Sequence, residues 1–375
     1  MYFLVLFYIK ILNTINKILI IIQRSNGDVF FSQSLIDSLY EYYEFPKIDL
    51  LVNGDTVASA NLLPHINFIH TFSYSQKNDN WIKQEKSLIS KIFRKYNLSI
   101  NLTSSDRSVL YALLASKNSI SAIEKNTQKS WWKRKLLTYY YFFDNRKHIQ
   151  LNNLEALNLL NIEHENIQKS PPITEFTILN IKERLKKIGI NNFIIFHPSA
   201  QYKYKIYPQH LRDELLIKLN TLNIPIIITG SNNEIDTEIK KRLPALVNLK
   251  DFIGETSLEE YLALSHLSSA YIGMDTLNMH IAASQNKRIF AIFGPTNLSM
   301  WSPWSNYSKM SASKDLPMQT YDNVTIFQAD MHCVACGKAG CDDNHGKSEC
   351  LYNIKPTMIF EQIEKWHNGL EVEIY

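Results

Sequence analysis

The sequence predicts an α/β protein built from two Rossmann-like halves, and three observations carry that expectation. Lys17-Ile18-Leu19-Ile20-Ile21-Ile22 is an unbroken apolar run followed by the polar turn Arg24-Ser25-Asn26-Gly27-Asp28, as a buried parallel strand entering a helix would read. The stretch from Ala270 to Asn297 repeats the pattern: an apolar run to Gly273, a polar Asp275-Thr276 turn, a small-residue helix, then a second apolar run, Arg288–Phe293, closed by Gly294-Pro295-Thr296. The length, 375 residues, suffices for two domains with separate cores.

Taken in order, Met1–Ile9 is apolar but shorter than a spanning helix, with no basic leader or small-residue cleavage site. It reads as an extra element packed on the first domain or as a monotopic membrane contact. Lys17–Ile22 is the first strand. Val29–Tyr43 carries apolar residues at 31, 35, 39 and 42, which is helical spacing. Lys47–Val52 and Ile66–Phe72 are further strands. Residues 75–150 read as mostly helical with poor periodicity, and Trp131–Phe143 is dense in aromatic and basic side chains. That tract could face lipid headgroups or a sugar, or form core with a solvated rim. Ser170-Pro171-Pro172 marks a hinge, giving domains 1–172 and 173–375.

In the second half, Ile181–Ile188 is helical. Asn192–Phe196 is a strand ending at His197-Pro198-Ser199-Ala200. Gln209–Asn220 is a helix, Pro225–Thr229 a strand ending at Gly230, and Glu234–Arg242 a helix. Ser257–Leu267 is a helix in which Thr256 or Ser257 forms a capping box with Glu259 or Glu260. Pro356–His367 is a final amphipathic helix opened by proline.

The formal net charge of +4 is too mild for a nucleic-acid binder and suits an enzyme of phosphorylated or membrane-surface substrates. All four cysteines fall between Cys333 and Cys350, so no dispersed disulfide framework exists. Cys333, Cys336, Cys341 and Cys350, with Gly337 and Gly340 among them, match a compact structural zinc site in ligand type but not in spacing. Reduced buried thiols and disulfides are the other readings, and none of the three makes the cluster catalytic.

In a βαβ unit ligands sit at the carboxyl ends of the strands. Asp275, Thr276, His280, Gly294 and Thr296 therefore belong to one rim, where backbone N–H groups and a helix N-terminus favour an anion such as a diphosphate. His197, Ser199 and Thr256 line the same rim. Glu234, after the Thr229-Gly230 turn, is placed to bind a ribose. Asp28, at the end of the first strand, can either cap the following helix or act as a base.

These residues resemble glycosyltransferase family 9, the ADP-heptose:lipopolysaccharide heptosyltransferases. The family's donor motif, Asp-(Ser/Thr)-Gly-x-x-His followed by Phe-Gly-Pro-Thr, stands here as Asp275-Thr276-Leu277-Asn278-Met279-His280 and Phe293-Gly294-Pro295-Thr296. Leu277 replaces the usual glycine. Lys205-Ile206-Tyr207-Pro208 matches a Lys-x-Trp-Pro motif with tyrosine for tryptophan, Lys203 being a near neighbour. The cysteine pattern is similar to that of members of the third core heptosyltransferase type. The resemblance covers 17–28 and 192–368 and little of 75–170.

It implies the GT-B arrangement, two Rossmann-like domains facing across a cleft. The N-terminal domain would hold the acceptor and the C-terminal domain the nucleotide sugar. It further implies an inverting glycosyltransferase that moves a heptose from an ADP-sugar to the lipid A–core acceptor at the cytoplasmic membrane face. Asp28 would be the base and Lys205 the stabiliser of the leaving diphosphate, with no catalytic cofactor. The rival readings are a GT-B enzyme using another nucleotide-hexose and a non-catalytic sugar-nucleotide-binding envelope protein. The sequence says nothing of oligomeric state.

Overall fold

The computed structural model describes residues 15–74 and 77–369. The Met1–Ile9 run lies outside the described residues. The chain divides after Pro172 into two compact units.

The first unit is built on six parallel strands: β1 (Lys17–Ile22), β2 (Lys47–Asn53), β3 (Ile66–Phe72), β4 (Leu98–Asn101), β5 (Ser119–Ile123) and β6 (Tyr139–Phe142). Their order is β3-β2-β1-β4-β5-β6, the doubly wound order whose switch point lies between β1 and β4. Successive β1 side chains face opposite sides of the sheet. Ile18, Ile20 and Ile22 enter one apolar core, while Leu19 and Ile21 enter the other. Burial on both faces explains why β1 reads as an unbroken apolar run.

Two expectations change here. The helix expected over Val29–Tyr43 is two, Asn26–Phe30 and Gln33–Tyr42. Ser32 turns the chain between them, its hydroxyl donating to the Val29 carbonyl at 2.6 Å. The region 75–150 is not mostly helical, since it supplies β4, β5 and β6. These strands are short and carry buried Ser99, Asn101, Ser119 and Ser121. The side chains of Ser99, Asn101 and Ser121 are satisfied internally, for example Asn101 Nδ2 donating to Ser121 Oγ at 2.8 Å. Serine and asparagine at buried positions erase the apolar signature of a strand.

The second unit has seven strands: β7 (Ile194–His197), β8 (Ile226–Ile228), β9 (Leu249–Asp251), β10 (Ala270–Met274), β11 (Arg288–Ile292), β12 (Met318–Tyr321) and β13 (Val324–Phe327). The order is β12-β13-β11-β10-β7-β8-β9, parallel apart from the β12/β13 hairpin. Without β12, this is the first unit's order again, with the switch point between β7 and β10. The fold is thus α/β with two Rossmann-like sheets. No helix among the described residues is long and apolar enough to cross a membrane.

Candidate active site

The second unit's site grows from its switch point. Gly273, in β10, pairs in register with His197, the last residue of β7. A Cβ at Gly273 would lie 2.4 Å from the His197 carbonyl oxygen, so only glycine permits the two strands to approach this closely. Beyond β10 the chain turns through Asp275 and Thr276 into the helix Leu277–Ser284. Thr276 is the N-cap in extended geometry, yet its side chain makes no capping hydrogen bond. The first N–H groups of this helix therefore retain capacity for an anion. Leu277 opens the helix and is absent from the residues with positive φ. The family's glycine is thus not required by backbone strain at this position.

Lys205 arrives from the other side of the switch point, on the single 3-10 turn Lys203–Lys205 after β7. Its Nζ donates to Asp275 Oδ2 at 3.1 Å. Burial opposes its charge, but Asp275 and the hydrogen bond to it, with Tyr204 and Tyr202, hold its pKa above the ordinary lysine value. Lys203 is exposed, so Lys205 is the lysine of the pair that the fold turns inward. Tyr207, in the family's tryptophan position, is buried and donates its hydroxyl to the Ile354 carbonyl at 2.5 Å. That bond fastens the turn to the C-terminal segment.

Two buried imidazoles complete the rim. His197 Nδ1 lies 3.0 Å from Thr229 Oγ1 and 3.1 Å from Asn278 Nδ2. Burial drives the His197 pKa down to about 4, against the pull of Asp236. His280 is likewise driven to about 4 by burial, with Asp275 raising it and Lys205 lowering it further. Both rings are neutral near pH 7 and can give or accept a hydrogen bond without adding charge. Ser199 and Thr296 are buried beyond β7 and β11.

Thr256 precedes the helix Leu258–Leu267, and its neighbour Ser257 forms the capping box with Glu260. Glu234 opens its helix in an exposed position. The buried carboxylate of that turn is Asp236, which accepts from Ser231 N at 2.6 Å and Ser231 Oγ at 2.8 Å. Sequence reading missed Asp236 and Asn278. The spacing Asn233-x-x-Asp236, in which Asn233 Oδ1 accepts from Asp236 N at 2.8 Å, marks a capped helix start and could have drawn attention to Asp236.

In the first unit, Asp28 is buried within the helix Asn26–Phe30 just beyond β1. Its Oδ2 accepts from Ser25 Oγ at 2.6 Å and Ser25 N at 3.1 Å, and Arg24 Nε lies 2.9 Å from Oδ1. Asp28 thus completes a capping box. Burial lifts its carboxyl above the usual carboxylate range, with Arg24 and Ser25 pulling it back.

Cys333, Cys336 and Cys341 are exposed and Cys350 is buried, all as free thiols. Among the described residues, no group of three or more His, Cys, Asp or Glu side chains is arranged to hold a metal ion. The loop that carries them braces the rim. Gly337 N donates to the Pro295 carbonyl at 2.8 Å, and His345 packs on Tyr202 and Tyr204 with ring centroids 5.6 Å from each.

A cation fixed by a carboxylate, an uncapped helix N-terminus and two neutral imidazoles form a cradle suited to an anion with a polar substituent.

Comparison with known proteins identifies the family. The family model described as glycosyltransferase family 9 (heptosyltransferase) matches residues 86–329, well over half of the chain. It includes the stretch beyond residue 86 where the motif resemblance was thin. A lipopolysaccharide heptosyltransferase 3 of Escherichia coli is 26% identical over 297 residues, spanning 76% of this chain and 85% of the relative. The structure of E. coli ADP-heptose lipopolysaccharide heptosyltransferase II is similar with a TM-score of 0.68 at 19% identity, over 95% of this chain and 100% of that one. E. coli heptosyltransferase WaaC with ADP-2-deoxy-2-fluoro heptose gives 0.65 at 14% identity, over 93% and 99%. These likenesses match the GT-B class of fold, with two Rossmann-like units. The chain is a transferase enzyme and belongs to glycosyltransferase family 9, the heptosyltransferases.

Proposed function

We propose that this enzyme transfers a heptose from ADP-heptose to the inner core of lipopolysaccharide, with inversion at the anomeric carbon. The second unit, 173–375, binds the nucleotide sugar, and the first, 1–172, binds the acceptor. In this reading Asp28 removes the proton of the acceptor hydroxyl as its oxygen bonds to the anomeric carbon. The bond from that carbon to the diphosphate breaks in the same step, and ADP leaves with the electron pair. Lys205 and the N–H groups that follow Thr276 stabilise the charge that develops on the diphosphate. Asp275 holds Lys205 in position, and His197, Ser199, His280, Gly294 and Thr296 shape the donor pocket. Thr256 and Glu234 are assigned to the nucleoside end. The reaction so written needs no metal or other cofactor. The enzyme works at the cytoplasmic face of the membrane that carries its lipid-linked acceptor.

The observation that supports this most strongly is the Lys205–Asp275 pair, 3.1 Å apart, beside a helix start that no side chain caps. The relatives' names supply the sugar and the acceptor. A transfer assay with ADP-heptose, and with UDP- and GDP-hexoses in parallel, tests the reading. It expects product of added heptose mass from ADP-heptose alone, and at least a hundredfold loss of turnover in Asp28→Ala with ADP binding retained. Turnover with another donor only, or full activity of Asp28→Ala, would remove the donor or the base from the scheme.

A further inference from the structure

The aromatic and basic tract of the first unit divides into an inward and an outward part, and the outward part has no role in the chemistry above. Its helix, Thr127–Leu136, is fixed by the one lysine that points inward. Lys133 is buried, and its ammonium meets Asp106 Oδ1 at 2.7 Å, Glu124 Oε2 at 2.7 Å and the Ser104 carbonyl at 2.8 Å. Ser130, Lys133 and Leu137 form the buried row. Trp132 packs partly onto Val109, Ile123 and Leu137. The opposite face presents Trp131, 56% exposed, and Leu136, 61% exposed.

Around these apolar groups stand Lys129, Arg134 and Lys135, and the helix contains no acidic residue. Lys135 Nζ lies 5.5 Å from the centroid of the Trp131 ring. None of the three bases forms an ion pair with a carboxylate among the described residues, whereas Lys133 is fully paired. A tryptophan and a leucine held outward on a rigid helix, flanked by long basic side chains, match the boundary between headgroups and acyl chains. The indole and the leucine enter the boundary while the lysine stems reach back to phosphate.

We infer that the outward face of the helix Thr127–Leu136 docks the enzyme on a bilayer surface rich in anionic phospholipid. The inference stands on this surface and does not depend on the transfer reaction proposed above. Another exposed apolar pair, Phe176 and Leu179, does not carry the same argument. Its helix includes Glu175 and Glu183, and its Arg184 is engaged by Glu255 and Glu260.

The test is co-sedimentation of the full chain with phosphatidylglycerol vesicles and with phosphatidylcholine vesicles. The protein is expected to bind the first and not the second, and to be released between 0.1 and 0.5 M salt. Trp131→Ala/Leu136→Ala should weaken binding at least tenfold. Lys129→Glu/Lys135→Glu should weaken it by roughly fivefold per charge removed, and further for the reversal. Both should leave the melting temperature unchanged, because every substituted side chain is exposed. Should the charge-reversal variant melt lower, the alanine pair decides alone. Phe176→Ala/Leu179→Ala should bind as the unaltered chain does. Binding that survives both helix variants, is lost in the Phe176/Leu179 variant, or fails to distinguish the two lipids would overturn the inference. So would displacement from the vesicles by duplex DNA at equal charge.

Discussion

Replacing Lys205 with methionine keeps the length of the side chain and removes its charge. At 3.1 Å, the attraction between Lys205 and Asp275 is about 5 kcal/mol gross at an effective dielectric constant of ~20. Desolvation offsets part of it. Breaking a fully buried pair costs about 3–5 kcal/mol because one charge is left uncompensated. The Lys205 side chain keeps 28% of its exposure and Asp275 only 9%, so a cost somewhat below that range applies, about 2–3 kcal/mol. The melting temperature should fall by roughly 5–10 °C. Turnover should fall further than stability implies, by about 10²–10³ in kcat, as when a preorganised group facing a developing anion is removed. Asp275→Asn retains the cation and should lower kcat by about tenfold. The double variant separates the two roles. Lys205→Met/Asp275→Asn should regain much of the stability, since no unpaired carboxylate remains, and none of the turnover. If the double variant recovered kcat, or if Lys205→Met raised only the acceptor KM, the assignment of Lys205 to the leaving diphosphate would be wrong.

Three further outcomes follow from the geometry. Gly273→Ala places a methyl group 2.4 Å from the His197 carbonyl, so it should lower stability by roughly 3 kcal/mol or more and disturb the β7/β10 register; an unchanged melting curve would contradict the close approach. His197 and His280 both have folded pKa values of about 4 against an ordinary 6.5. Their contribution is complete above pH 6.5 and is lost as pH falls toward 4, on the order of 2–3 kcal/mol each by pH 4.5. Asp28 and Asp37, whose pKa values burial raises, act in the opposite direction and blunt the loss. Melting temperature against pH should therefore decline less steeply in His280→Gln, and an identical slope would count against a buried neutral ring. Tyr207→Phe removes the 2.5 Å bond to the Ile354 carbonyl, leaving that group without its partner at about 1–3 kcal/mol. It should also raise the donor KM severalfold, because Tyr207 anchors the Lys205 turn; a loss of stability with unchanged KM would show that the anchor does not reach the site.

Much of this architecture could be read from the sequence because parallel strands buried on both faces are continuous apolar runs. β1 and β3, and the helices Gln209–Asn220 and Pro356–His367, have the bounds that periodicity predicts. The same reasoning failed where burial is polar. β4 and β5 carry serine and asparagine inward, and some of the hydrogen bonds that satisfy them, such as Ser99 Oγ on the Ala112 carbonyl at 2.8 Å and Asn101 Nδ2 on Ser121 Oγ at 2.8 Å, reach across elements. The hairpin β12/β13 and the three-residue β9 are too short for any period to register. At the site, motif spacing pointed to Lys205, Asp275 and His280. It could not separate Lys203 from Lys205, because that choice depends on a 3-10 turn, which sets side chains two residues apart about 120° from each other around its axis. It pointed to Glu234 by position and passed over Asp236, the buried carboxylate of the same turn. The basic and aromatic tract looked uniform as a string of letters. Only the helical twist assigns Lys133 to the interior and Trp131 to the surface.

The central claim is that the second unit holds an adenosine diphosphate through Lys205 and the helix start after Thr276. Thermal stabilisation by free nucleotide diphosphates tests it most directly. A ligand at a hundred times its Kd adds about 2.7 kcal/mol to a site present only in the folded protein. The account predicts a shift of several degrees with ADP, a smaller one with UDP or GDP, and loss of the ADP shift in Lys205→Met. A larger shift with UDP or GDP, or an ADP shift that Lys205→Met leaves intact, would contradict it.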